Sequence, residues 1–209
     1  ELSHRAESIL CITLSSKIST MYNVARAAKE QAKREFPQTF IEVLDSRICA
    51  AAEGFVALAA AQAAREGEDL VKIIGKAKEV RDKVAFIALL DTVRYIYRAG
   101  RIPRVAARGG SMLSGRPMFT VSEDVHFAGI VRSRKRGVDQ LLEIMRKKVR
   151  QNPMHVAVMH SYALDEAEKL KERISREFNP VELWITEFSP AMGYACGTGV
   201  LSLAFYSES

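Results

Sequence analysis

The sequence runs to 209 residues, 48% apolar and 27% charged, with three cysteines and a net charge of +6. That length and composition allow one large or two small domains with a sizeable core, and the scattered Cys11, Cys49 and Cys196 exclude a disulfide framework. No apolar run reaches a membrane span and no signal peptide is visible, so a cytoplasmic protein with reduced thiols is the expectation.

The chain opens at Glu1 without an initiator methionine, which reads as a fragment or a chain whose beginning is not represented. Ile9–Leu14 is a continuous apolar run, the pattern of a strand buried on both faces. Met21, Tyr22, Ala25, Ala28 and Ala32 then recur at helical spacing from about Thr20 to Glu35, and Pro37 ends the segment. Ile41–Leu44 is a second strand, closed by Asp45-Ser46. The alanine-rich stretch Ala50–Arg65 predicts a helix stopped by Gly67, and Asp69 predicts the N-cap of another over 70–83. Strand, helix, strand, helix, helix is the start of an α/β layered unit, and a soft domain boundary falls near residue 83.

Val84–Leu90 is a third strand and 92–98 a short helix. A Gly- and Arg-rich stretch follows, and then Pro117–Ser122 and Val125–Val131 pattern as a hairpin. Gly137–Val149 predicts an amphipathic helix with Val138, Leu141, Leu142 and Met145 on one face. Strand 155–160, helix 164–177, strand 181–188, a Gly-rich turn over Gly193–Gly199 and strand Val200–Tyr206 complete the chain.

Charge is unevenly placed. Residues 101–150 hold 12 basic and 4 acidic residues, a net +8, against −4 for residues 151–209. Such a segment suits an anionic partner, and a solvated basic face is an equal reading. Its basic residues are not interleaved with aromatics and no helix-turn-helix pattern appears, which argues against nucleic acid.

Little here carries catalysis. The four histidines do not combine with the cysteines at metal-ligand spacing, and His155 and His160 are five apart on a strand, so they point to opposite faces. There is no P-loop and no nucleophile elbow, and "GGSMLSG" lacks the dinucleotide-binding order. What stands out is "ILCITLSSKISTMY". Four hydroxyls, Ser15, Ser16, Ser19 and Thr20, crowd a strand-to-helix junction. A helix N-terminus exposes N–H donors and the positive end of its dipole, and ligands gather beyond the carboxyl ends of strands, so an anion site is one reading. Cap and turn residues are the other.

"ITLSSKISTMYNVARAA" closely resembles the Leu-Ser-Ser-x-x-Ser-Gly-Thr-Tyr segment of the DegV family. Further likenesses follow in order: "IEVLDSRICAAAEGFVAL", "LLDTVRYIYRAGRI", "GSMLSGRPMFTV", "VRSRKRGVDQL" and "GYACGTGVLSLAFY". The match spans residues 9 to 206. The resemblance implies a two-domain α/β fold, sheets flanked by helices, with residues 1–83 the remainder of the N-terminal domain and 84–209 a lipid-binding domain. It implies a bacterial, cytoplasmic, non-enzymatic carrier without cofactor. Such a carrier binds one long-chain fatty acid, its acyl chain in an apolar tunnel and its carboxylate at the domain junction. Ser16 is then the first carboxylate ligand and Ser19 the second, beside Ser15 and Thr20. The partner implied is a fatty acid kinase that makes the acyl-phosphate, with Arg101, Arg132 and Lys135 in phosphotransfer or docking, alongside Arg134 and Arg136. Met112, Leu113, Met118, Phe119 and Phe127 are tunnel candidates.

Three departures accompany the likeness. The family's first strand and its Thr-Ser-Gln-Pro-Ser loop have no counterpart, so an incomplete N-terminal part is expected. The closing-motif histidine falls on Ala195. Thr20-Met21 replaces Gly-Thr, and Thr198 replaces a proline. The alternatives are a degenerate member of the family that has lost its ligand, and a basic module for a protein or nucleic-acid partner.

Overall fold

The computed structural model describes residues 5–102, 115–149 and 153–208. The chain divides into two compact units, Glu1–Lys83 and Val84–Ser209. Both are mixed α/β, as the alternation of apolar strand runs with helical periodicity requires.

In the first unit β1 (Ser8–Thr13) pairs in parallel with β2 (Phe40–Asp45), Thr13 standing beside Asp45. The crossover between them is α1 (Met21–Glu35), tied to the sheet by Lys29 and Glu42, whose charged groups are 2.7 Å apart. α2 (Ala50–Arg65) and α3 (Leu70–Lys83) form a helical hairpin, which buries Ala52, Phe55, Val56, Ala60, Ile73 and Ala77. Asp69 caps α3 as expected, accepting from the Lys72 N–H at 2.9 Å. β1 is not buried on both faces: only Thr13 is fully enclosed. The described sheet has one neighbouring strand, and α1 contributes no buried residue to cover it.

The second unit is built on a six-stranded sheet in the order β5-β4-β3-β8-β6-β7. Its strands are β3 (Ala85–Leu89), β4 (Arg116–Ser122), β5 (Asp124–Val131), β6 (Met154–Ser161), β7 (Glu182–Glu187) and β8 (Val200–Ser207). β6 and β7 run parallel through the crossover helix α6 (Leu164–Phe178), and every other pairing is antiparallel. The expected hairpin is β4–β5, turning at Glu123 with a positive φ of 63°. α5 (Arg134–Lys148) and α6 pack Leu141, Leu142, Met145, Leu170 and Ile174 against the sheet.

Two elements differ from the sequence reading. α5 begins three residues before Gly137, because the Ser133 hydroxyl accepts from the Arg136 N–H at 3.3 Å and caps it. Gly137 is no helix breaker here but a close-packing position: a Cβ on it would meet Leu89 Cδ2 at 2.4 Å. Likewise residues 193–199 are not all turn. Ser189 caps, with Pro190 in the first turn, a short helix α7 (Pro190–Cys196) that takes in Gly193. α4 (Arg94–Arg98) is also short, and among the described residues no helix is long and apolar enough to cross a membrane.

Candidate functional site

The serine junction lies where β1 and β2, being parallel, end side by side. Both strands run into loops that are knitted together by the backbone. Ser46 N–H donates to the Thr13 carbonyl at 2.9 Å, and Ser15 N–H donates to the Ile48 carbonyl at 2.9 Å. The Asp45 carboxylate closes the arrangement by accepting from the Ser16 N–H at 3.2 Å and the Arg47 N–H at 2.8 Å. Arg47 and Ala50 sit in the left-handed region, at φ 60° and 55°. Such strain persists only where surrounding contacts over-determine it, and it is found preferentially at ligand sites.

The four hydroxyls have different surroundings. Ser15 is fully buried, and its Oγ accepts from the Lys17 N–H at 3.2 Å, which fixes the loop. Ser19 Oγ accepts from the Met21 N–H at 3.2 Å and so engages the first residue of α1. Thr20 occupies the N-cap position but makes no side-chain cap bond, and it is exposed. Ser16 is half-buried, and its hydroxyl has no hydrogen-bond partner among the described residues. One hydroxyl with unused donor capacity, at a turn leading into a 15-residue helix, is the arrangement that accepts an anion.

Two acids belong to this site that the sequence reading left out of it. Asp45 was legible only as the end of a strand, and Glu53 as one residue of an alanine-rich helix. The structure sets Glu53, in the first turn of α2, near Asp45. Burial and the neighbouring Asp45 charge push the Glu53 carboxyl up to about 7. Beside Asp45 in register, the Thr13 hydroxyl is buried with no hydrogen-bond partner among the described residues.

The basic candidates lie in the second unit. Arg101 follows α4, and its guanidinium donates to the Ala99 carbonyl, so it serves the C-terminal end of that helix. Arg132, beyond β5, and Lys135, in the first turn of α5, are exposed and form no ion pair among the described residues. Arg134 is committed elsewhere. It pairs with Asp91 at 3.3 Å and with Glu166, while Arg116 Nε reaches the same Asp91 oxygen at 2.9 Å. Asp91 abuts Gly199, where an added Cβ would stand 2.2 Å from its carboxylate.

Near α4 and α7 is a cavity of about 420 Å³, lined by Tyr95, Arg98, Gly193, Tyr194, Gly197 and Thr198. Ala195, the closing-motif position noted above, is half-buried in α7. Of the tunnel candidates, Met118 and Phe119 are buried, and Phe127 is 46% exposed with its ring 5.8 Å edge-on to Phe119. Met112 and Leu113 lie outside the described residues. Burial pushes the Cys196 thiol up to about 11, which keeps it protonated and unreactive. Among the described residues no group of three or more His, Cys, Asp and Glu could hold a metal. The two strand histidines are otherwise engaged: His155 bridges Glu182 and Glu208, and His160 Nδ1 accepts from the Ala163 N–H.

The described residues form two α/β units, the first with a hydroxyl-rich strand–helix junction. Residues 1–208 match the sequence profile described as "Uncharacterised protein, DegV family", and the chain belongs to that family. It is 31% identical over 204 residues to a DegV domain-containing protein of Clostridium acetobutylicum, covering 97% of this chain and 71% of the relative. Among solved structures it is similar to DegV of Bacillus subtilis, described as a fatty acid binding protein. The TM-score there is 0.87 and the identity 26%, over 99% of this chain and 73% of the other. The fold is also shared with a DegV family protein from Eubacterium eligens loaded with heptadecanoic acid, at a TM-score of 0.88 and 19% identity. That match covers 97% of this chain and 74% of the other.

Proposed function

We propose that this chain binds one long-chain fatty acid as a non-enzymatic carrier. The carboxylate is held at the serine junction, by the Ser16 hydroxyl first and Ser19 second, with Ser15 and Thr20 shaping and flanking the turn. The acyl chain runs through apolar surroundings of residues 84–209. The carrier presents the acid to a fatty acid kinase, which makes the acyl-phosphate, and Arg101, Arg132 and Lys135 serve phosphotransfer or docking. The observation that carries the reading is the Ser16 hydroxyl, without a hydrogen-bond partner among the described residues, at the β1–α1 turn of a DegV family chain. The fatty acid binding of the Bacillus subtilis relative supports it. Arg132 and Lys135, exposed and without an ion pair among the described residues, support the docking part, since such cations are available to an acidic surface.

Organic extraction of the purified chain followed by mass spectrometry tests the proposal. A fatty acid near one equivalent is expected. Ser16→Ala is expected to weaken carboxylate binding about tenfold, the effect of about 1.4 kcal/mol that a charge-assisted hydrogen bond supplies. Extracts empty of lipid, together with no binding in titration, would sink the carrier reading in favour of a degenerate or partner-binding protein.

A further inference from the structure

Asp45 ties the two loops of the serine junction together with its side chain. Its Oδ1 accepts from the Arg47 N–H at 2.8 Å in its own loop and from the Ser16 N–H at 3.2 Å in the other. Oδ2 stands 3.3 Å from the same Ser16 nitrogen. The Arg47 bond is an Asx turn, which an aspartate at the end of a strand makes readily. The Ser16 bond is not local. It crosses 29 positions of sequence, and it falls on the serine whose hydroxyl has no partner among the described residues. The parallel register of Thr13 with Asp45 brings the carboxylate there, and the backbone bonds from Ser46 to Thr13 and from Ser15 to Ile48 keep it in place. Asp45 is half-buried and forms no ion pair among the described residues. An anion that accepts from the Ser16 hydroxyl therefore lies one residue away from a negative charge with no paired cation. By charge alone such a neighbour opposes the ligand, so its contribution to the site has to be geometric.

We propose that Asp45 is the positioning residue of the serine junction: it fixes the Ser16 backbone so that the hydroxyl meets an anionic headgroup, while its own charge keeps that headgroup weakly held and exchangeable. The inference rests on the fatty acid reading of that junction. Asp45 acts through Ser16 and not by a bond of its own to the ligand, since a carboxylate has no proton to donate. The two effects have opposite signs. A hydroxyl on a fixed backbone loses less freedom on binding than one on a free loop, which strengthens the complex. A like charge about one residue away weakens it, on the order of threefold to tenfold at the dielectric of a protein surface. A carrier has to release what it binds, and a nearby like charge speeds release without removing the donor. The effects are separable because Oδ1 alone accepts from both N–H groups. Asparagine, with its amide oxygen in the place of Oδ1, keeps both bonds and lacks the charge. Alanine lacks both.

The test is calorimetric titration of the full chain and its Asp45→Asn and Asp45→Ala variants with heptadecanoic acid, using 1-heptadecanol as the neutral probe. Asp45→Asn is expected to raise the ratio of acid to alcohol affinity about threefold to tenfold over the parent, with a gap that narrows as salt is added. Asp45→Ala, equally neutral, is expected to bind the acid about tenfold more weakly than Asp45→Asn, the loss of one well-placed charge-assisted hydrogen bond. In a Ser16→Ala background that difference between asparagine and alanine is expected to vanish, which a merely structural role would leave in place. Should Asp45→Ala not fold, Asp45→Glu takes its part. It keeps the charge, displaces the carboxylate by one methylene, and is expected to bind the acid more weakly than the parent. Equal acid affinities in folded Asp45→Asn and Asp45→Ala overturn the positioning role, as does a difference that survives Ser16→Ala. An unchanged ratio in Asp45→Asn overturns the charge effect. Variants that shift acid and alcohol alike make Asp45 a turn residue only, and overturn the proposal while leaving the fatty acid reading intact. If the parent binds neither probe, the fatty acid reading itself fails and the positioning role falls with it.

Discussion

Ser16 takes part in the junction through two separate groups: its N–H is held by Asp45, while its hydroxyl is uncommitted among the described residues. The neighbouring Ser15, identical in sequence terms, is buried and spends its hydroxyl on the Lys17 N–H. The backbone bond from Ser15 to Ile48 turns Ser15 inward to build the loop, while Ser16 stays half-exposed. Glu53 has a consequence for stability. Its carboxyl is raised in the folded chain from 4.5 to about 7, so between those values the folded state binds more protons than the unfolded state. Stability therefore falls as pH rises across that window and levels off above it, by about 1–2 kcal/mol once solvent screening of a partly exposed group is allowed for. Urea midpoints at about pH 5 and about pH 7.5 measure this, and Glu53→Gln is expected to remove that share of the change. Equal midpoint shifts in variant and parent would falsify the assignment to Glu53.

At the scale of elements, two glycines carry opposite predictions. Gly197, just after α7, has φ 85° and ψ −178°, a region that only glycine adopts readily, and an added Cβ would stand 2.2 Å from Tyr95 Cδ2. Gly197→Ala is expected to destabilise the second unit by about 2–4 kcal/mol, combining backbone strain with displacement of the Tyr95 ring. Gly54 lies inside α2 with nothing within 4 Å of its missing Cβ. Gly54→Ala is expected to stabilise by about 0.5–1 kcal/mol, since alanine loses less backbone entropy in a helix. Thermal unfolding of both variants reads the signs. A neutral Gly197→Ala would mean that the α4–α7 contact is not rigid. Elsewhere in this unit a hydrogen-bonded histidine joins three segments. His155 lies between Glu182 of β7 and Glu208 beyond β8, at 2.9 and 2.8 Å, and stacks on Tyr206 at 4.5 Å. Burial, with Glu182 and Glu208 adding to it, pushes the Tyr206 phenol up to about 12, so it stays neutral beside that cluster.

For the whole molecule, the proposed carrier role makes affinity a property of chain length more than of the headgroup. Burying one methylene is worth about 0.8 kcal/mol, so removing two from a saturated acid is expected to weaken binding about tenfold. Competition between heptadecanoic and pentadecanoic acids measures this, and equal affinities would mean that the end of the acyl chain remains in water. The uneven charge, +8 over residues 101–150, belongs to the same scale: under the docking proposal, association with an acidic partner is expected to weaken with salt.

The sequence by itself determined what depends on neighbours along the chain. Apolar runs and helical spacing marked the strands and most helices, Asp69 marked a helix start, and the crowded hydroxyls marked the junction. These features follow from local periodicity and capping, which need no knowledge of distant segments. Tertiary structure decided what depends on segments that meet only after folding. The parallel pairing of β1 with β2 put Asp45 against Ser16 across 29 positions of sequence, and the α2 packing brought Glu53 towards Asp45. Close approach of Leu89 to Gly137 and of Tyr95 to Gly197 was likewise decided only by packing. Ser15 and Ser16 read alike in the sequence, and only the backbone bond from Ser15 to Ile48, which fixes the direction of the turn, gave them different roles.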